Sequence, residues 1–106
     1  MSRYLVRPLA DRDLDDQSYY YATFASAEIG HRFLVAAHEA FALLATQPNL
    51  GWRSRLRHPR LKELRVFRVK GFKKTLILYP FPEGVEILRV VHGPRNLPAL
   101  LRHELT

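Results

Sequence analysis

The sequence predicts an α+β fold in which a helical hairpin lies on one face of an antiparallel sheet of about four strands. Three observations carry this. Two stretches of helical apolar spacing follow one another directly, around Leu14–Ala25 and Ile29–Leu44. Three β-branched and aliphatic runs come next, Glu63 to Val69, Thr75 to Pro80 and Val85 to His92. The last of these stops at His92-Gly93-Pro94, where glycine and proline cannot extend a ladder. At 106 residues the chain is expected to form one domain over 1–106, burying about two-thirds of its unfolded surface.

Taken in order, Arg3 to Arg7 reads as a short strand closed by Pro8, and Asp11 and Asp13 stand where acids favour a helix start. The first helix is expected over about 11–25, with Leu14, Ser18, Tyr21, Ala22 and Ala25 in step. Ser26 suits the N-cap of a second helix reaching about Gln47, whose stripe is Ile29, Phe33, Ala36, Ala37, Ala40, Leu43 and Leu44. So short a link makes the helices antiparallel, and the alanines allow close approach to a neighbour. Pro48, Asn49 and Gly51 end the second helix, and Trp52 to Leu61 is a basic connection without periodicity.

Short glycine-bearing links at 70–74 and 81–84 make the three later strands antiparallel neighbours, with the N-terminal strand at an edge. In the last strand, alternation sets Val85, Ile87, Arg89 and Val91 against Glu86, Leu88, Val90 and His92. Apolar residues on both faces mark a central strand covered on two sides. Asn96 would cap a short C-terminal helix carrying Leu97, Leu100 and Leu101. Because the hairpin covers only one face, either that helix or another polypeptide must cover the other, and a protein partner is the expectation.

Charge is unevenly spread. Up to Asn49 four basic residues face six acids, while from Leu50 onward thirteen face four, so the net +7 comes from the second half. Ten of the seventeen cations lie between Arg53 and Lys74, against Glu63 alone. Such a cluster attracts polyanions or an acidic protein surface, or forms a solvated face that keeps the protein soluble. With no cysteine, disulfides and thiolate metal sites are excluded. Without a signal-like start or an apolar run of membrane length, a cytoplasmic protein with no membrane association is expected. His31 and His38 share a helix face about 10 Å apart, too far for one ion, and no serine stands in a nucleophile pattern. The run Tyr19-Tyr20-Tyr21 with Phe24 is wider than the core stripe needs, leaving rings for a homodimer or partner contact.

At Leu61-Lys62-Glu63-Leu64-Arg65, Gly71-Phe72-Lys73, Ile77-Leu78-Tyr79 and Ile87-Leu88-Arg89-Val90-Val91-His92-Gly93-Pro94-Arg95-Asn96-Leu97, the chain resembles the RelE/ParE superfamily of bacterial toxins. It looks most like the ParE branch. The resemblance extends to Leu14, Tyr21, Leu43-Leu44, Pro48 and Gly51. It implies a toxin of a type II toxin–antitoxin pair, associated with plasmid stabilisation and neutralised by a ParD-like or similar antitoxin whose C-terminal segment wraps around it. ParE-like toxins inhibit DNA gyrase, and RelE-like toxins cut mRNA on the ribosome. No cofactor is implied. A homodimer and a toxin–antitoxin hetero-oligomer both stay open.

The RelE pattern has an arginine leading into the third strand, another after the fourth, and a tyrosine in the C-terminal segment. Arg95 fits the second position, whereas Thr75-Leu76-Ile77-Leu78-Tyr79 has no arginine and no tyrosine follows Arg95. A remodelled nuclease would draw on Arg95 with Lys73, Lys74, Arg65 or Arg89 as cations, and on His92 or His103 to move a proton. The bland reading of His92 is a hydrogen bond to its own turn, and that of Arg65 and Arg89 is ion pairing, with Glu63 and Glu86 as partners. For a protein target the contact candidates are Arg65, Lys73, Lys74, Arg89 and Arg95. The favoured expectation is a non-enzymatic gyrase toxin. The alternatives are a ribosome-dependent mRNA endonuclease and a member that only binds its partner or nucleic acid.

Overall fold

A computed structural model describes residues 3–54, 63–81 and 85–93. The elements are β1 (Tyr4–Val6), α1 (Pro8–Phe24), α2 (Ala27–Thr46), β2 (Trp52–Arg53), β3 (Glu63–Val69), β4 (Phe72–Phe81), β5 (Val85–Ile87) and β6 (Arg89–His92). The α+β order expected from the sequence is present, two helices followed by antiparallel strands. The expected C-terminal helix after Asn96 and most of the 81–84 link lie outside the described residues.

The first helix begins at Pro8, earlier than the expected Asp11. Proline at the first helical position loses nothing, since that N–H has no helical acceptor and the ring already holds a helical φ. Pro8 thus opens the helix as well as closing the strand. Ser26 caps α2 as expected, its Oγ accepting the Ile29 N–H at 3.1 Å. Only Ala25 and Ser26 separate the helices, so they run antiparallel. Their close approach is at Gly30, where a Cβ would stand 2.8 Å from the Ser18 carbonyl oxygen of α1. Phe33, Ala37, Phe41 and Leu44 turn the buried face of α2 towards the sheet.

The main sheet runs β2-β3-β4-β6, every pair antiparallel. Part of the presumed Trp52–Leu61 connection is therefore a short edge strand, with Trp52 opposite Val66. The fourth strand starts at Phe72, three residues before the expected Thr75, because Lys70-Gly71 alone makes the turn, Gly71 taking φ 84°. A register shift follows between Arg68 and Val69, and Lys73 and Lys74 fall in the irregularity. Two lysines hide this stretch from a search for apolar alternation.

Val85 to His92 is interrupted at Leu88, and its halves have different partners. Val85–Ile87 pairs in parallel with Tyr4–Val6, while Arg89–His92 pairs with β4. The N-terminal strand is thus beside β5. The break changes the side-chain count. Ile87 and Val90 both enter the helix-side core, and Leu88 and Val91 both enter a second cluster with Leu64, Val66 and Leu78. Strict alternation had put Val90 with Leu88 and Val91 with Ile87, an assignment the extra residue overturns.

This second cluster corrects another expectation. Leu64 and Leu88 are 1% exposed and Leu78 is 0% exposed within this single chain. The sheet's far face therefore needs no second polypeptide to cover these residues, and the argument for a partner from exposed sheet surface fails. Large apolar residues stay exposed on α1, among them Tyr19, Tyr20 and Phe24, and at the sheet's edge, where Trp52 on β2 lies opposite Val66.

Candidate functional site

Each strand cation must find an anion or acceptor where the sheet buries it. Arg65 on β3 donates to the Gly51 carbonyl at 2.6 Å and the Asn49 carbonyl at 3.4 Å, lies 3.9 Å from Glu63, and stacks 4.1 Å from the Phe81 ring centre. It ties the loop after α2 to the sheet. Tyr79 does the same from β4, its hydroxyl donating to the Pro48 carbonyl at 2.6 Å and accepting the Gly51 N–H at 3.0 Å. Burial pushes the Tyr79 hydroxyl above its ordinary pKa, against the opposing pull of the Gly51 N–H and the Arg65 charge. A Cβ on Gly51 would collide with that hydroxyl and stand 2.8 Å from the Val66 carbonyl oxygen, so the loop fits only around glycine.

Arg89 on β6 pairs with Asp13 of α1 and with neither Glu63 nor Glu86, the two candidates for the strand arginines, and Glu86 instead bonds Arg7 at 2.8 Å. Gln17, one turn along α1, donates to the Val90 carbonyl at 2.8 Å and accepts from the Thr75 hydroxyl at 3.3 Å. Asp13, Gln17, Arg89 and His92 line a polar cleft of about 250 Å³ between helix and sheet. Two other hollows carry more apolar surface. One of about 450 Å³ lies between α2 and β3, lined by Ala36, Ala40, Leu43 and Phe67 with Arg68 and Lys70 at its rim. The other, about 600 Å³, follows the outside of the hairpin over Leu14, Leu34 and Val35, bordered by Asp11, Asp15 and Glu39.

Of the residues singled out from the sequence, the fold brings Lys73, Lys74 and His92 to one end of the sheet. His92 is opposite Thr75 in the ladder, and the Gly93 N–H donates to the Lys74 carbonyl at 2.7 Å. The half-buried His92 ring lies 6.4 Å, centre to centre, from both Tyr20 and Tyr21. Lys73 and Lys74 are exposed. Arg65 stands towards the opposite end of the sheet, opposite Tyr79, and Arg89 lies between, opposite Leu78. Arg95 and His103 lie outside the described residues. Among the described residues no group of histidines and carboxylates is arranged to hold a metal ion.

The sequence reading missed Asp13, Gln17 and Tyr79 as the groups that hold these elements together. Asp13 was visible only as a helix-start acid. Its contact with Arg89 spans 76 residues and has no local signal.

A chain described as "Chromosomal ParDE TA system from P. aeruginosa" has a similar fold, with a TM-score of 0.70 and 17% sequence identity over 89% of this chain and 98% of that one. No curated protein matches the sequence. Over residues 4–97 it matches the family described as the ParE toxin of the type II toxin–antitoxin system parDE, a span that takes in every element above, and the chain belongs to that family.

Proposed function

We propose that this ParE-family toxin acts by inhibiting DNA gyrase and is held inactive by a cognate antitoxin of the ParD kind. The family match over residues 4–97 carries the reading. The chemistry of the cations supports a non-enzymatic action. A RelE-like endonuclease needs fixed cations around a phosphorane and a group that moves the 2′-hydroxyl proton. Here Arg65 and Arg89 are engaged in holding loop and helix to the sheet, and β4 contains no arginine. Purified toxin added to gyrase and relaxed plasmid should abolish supercoiling and trap cleaved DNA, and the cognate antitoxin should reverse both. Full supercoiling at excess toxin would reject the target.

One observation favours a second reading, a ribosome-dependent mRNA endonuclease: Lys73, Lys74 and His92 share one end of the sheet. Primer extension on translated mRNA after induction separates the two. New 5′ ends within reading frames would support cleavage, and their absence would remove it.

A further inference from the structure

The end of α1 carries rings the core does not use. Tyr19, Tyr20 and Phe24 are 72%, 52% and 76% exposed. Tyr20 and Phe24 sit one helical turn apart with ring centres separated by 5.0 Å, forming a short aromatic ladder. Exposed aromatic surface of this kind costs solubility unless something uses it.

The ladder reaches the end of the sheet that carries the lysines through Tyr20, whose ring lies 6.4 Å from His92, the ladder partner of Thr75. Tyr21, the next residue after Tyr20, places its ring 5.2 Å from Phe72, and Lys73 and Lys74 directly follow Phe72 in β4. Among the described residues no carboxylate forms an ion pair with Lys73 or Lys74. Asp16, one turn before Tyr20, is the acid nearest in sequence on that stripe, so favourable potential lies from Phe24 towards the lysines.

We propose that Tyr20 and Phe24, with Lys73 and Lys74, form a binding surface for single-stranded nucleic acid. Bases stack on the rings while the ammonium groups take the phosphates. Unpaired bases offer free π-faces to exposed rings, whereas a duplex keeps its bases stacked internally. An acidic peptide would satisfy the lysines, but its side chains need hollows, and the three hollows described above are not lined by these rings. The inference is independent of the gyrase reading, because it concerns binding in the absence of any enzyme.

The test is fluorescence anisotropy of the full chain with a labelled oligothymidylate of about twelve nucleotides and with a duplex of equal length. The single strand should bind at least about tenfold more tightly. The double variant Tyr20→Ala with Phe24→Ala should weaken single-strand binding by about tenfold or more, and Tyr20→Trp should preserve it. Lys73→Glu with Lys74→Glu should flatten the dependence on salt, each phosphate contact contributing a slope of about 0.7. The altered side chains are exposed, and an unchanged melting temperature confirms folding. Equal affinity for duplex, or for heparin with no loss in the ring variant, reduces the surface to a cluster of charges and overturns the proposal. So does a ring variant that keeps oligonucleotide binding and loses self-association or binding of an acidic peptide.

Discussion

Arg89 grips both carboxylate oxygens of Asp13, Nε to Oδ2 at 2.8 Å and Nη2 to Oδ1 at 2.9 Å, and Oδ2 also accepts the Val90 N–H at 3.0 Å. One carboxylate near the start of α1 therefore fixes the helix to β6. With side chains only 14% and 15% exposed, loss of the acid takes a bidentate partner from a largely buried guanidinium and leaves the Val90 N–H without its acceptor. Asp13→Ala should cost about 3 kcal/mol in urea unfolding, and Asp13→Asn, which keeps an acceptor for Val90, should cost less. An unchanged midpoint would show the clamp to be dispensable.

Tyr79→Phe keeps the ring and removes the hydroxyl that joins Pro48 to Gly51. The Gly51 N–H is left in a buried place without its acceptor, and the expected loss is about 2 kcal/mol. Chemical denaturation measures it, and faster hydrogen exchange at the loop amides should accompany it.

The same hydroxyl sets a dependence on alkaline pH. Because the folded state raises its pKa above 10.0, the unfolded chain gives up the proton first as pH rises. The folded state binds more protons through that window, so stability is full below about pH 10 and falls as pH climbs towards the folded value. Tyr79→Phe should be less stable at neutral pH yet lose this part of the alkaline decline. Parallel slopes for the two proteins above pH 10 would refute the assignment.

Gly30→Ala sets two effects against each other. Alanine gains about 1 kcal/mol in helix propensity, but its methyl group would press on the Ser18 backbone carbonyl 2.8 Å away, where no flexible side chain can yield. Overpacking of this kind costs about 1–3 kcal/mol, so a net loss is expected in thermal unfolding. Gly71→Ala tests the contrasting case. It has open space for its Cβ and a φ of 84°, so its cost of about 1 kcal/mol comes from backbone conformation alone.

Leu88→Ala probes the face once expected to need a partner. Leu88 is buried in the second cluster, and its truncation should cost about 3 kcal/mol in the isolated protein. A cost seen only with a partner bound would restore the idea of an uncovered sheet.

Much of the architecture was legible because its causes are local. The Ser26 cap, the spacing of Phe33, Ala37, Ala40 and Leu44, and the run Glu63–Val69 each announce an element by residues a few positions apart. Pro8 was misread because proline closes a strand and opens a helix equally well, and the lysines of β4 concealed a strand held by its neighbours.

The sequence alone determined the element order, the charged second half and the resemblance to ParE toxins. Only the tertiary structure decided that Val85–His92 breaks at Leu88 and exchanges partners, that Arg89 meets Asp13, and that both sheet faces bury leucines. It also set the Tyr20 ring beside His92, the ladder partner of Thr75 next to Lys74. The physical reason is separation along the chain: hydrogen-bond partners in a sheet and ion pairs between layers join residues dozens of positions apart, and nothing in their immediate neighbours specifies which will meet.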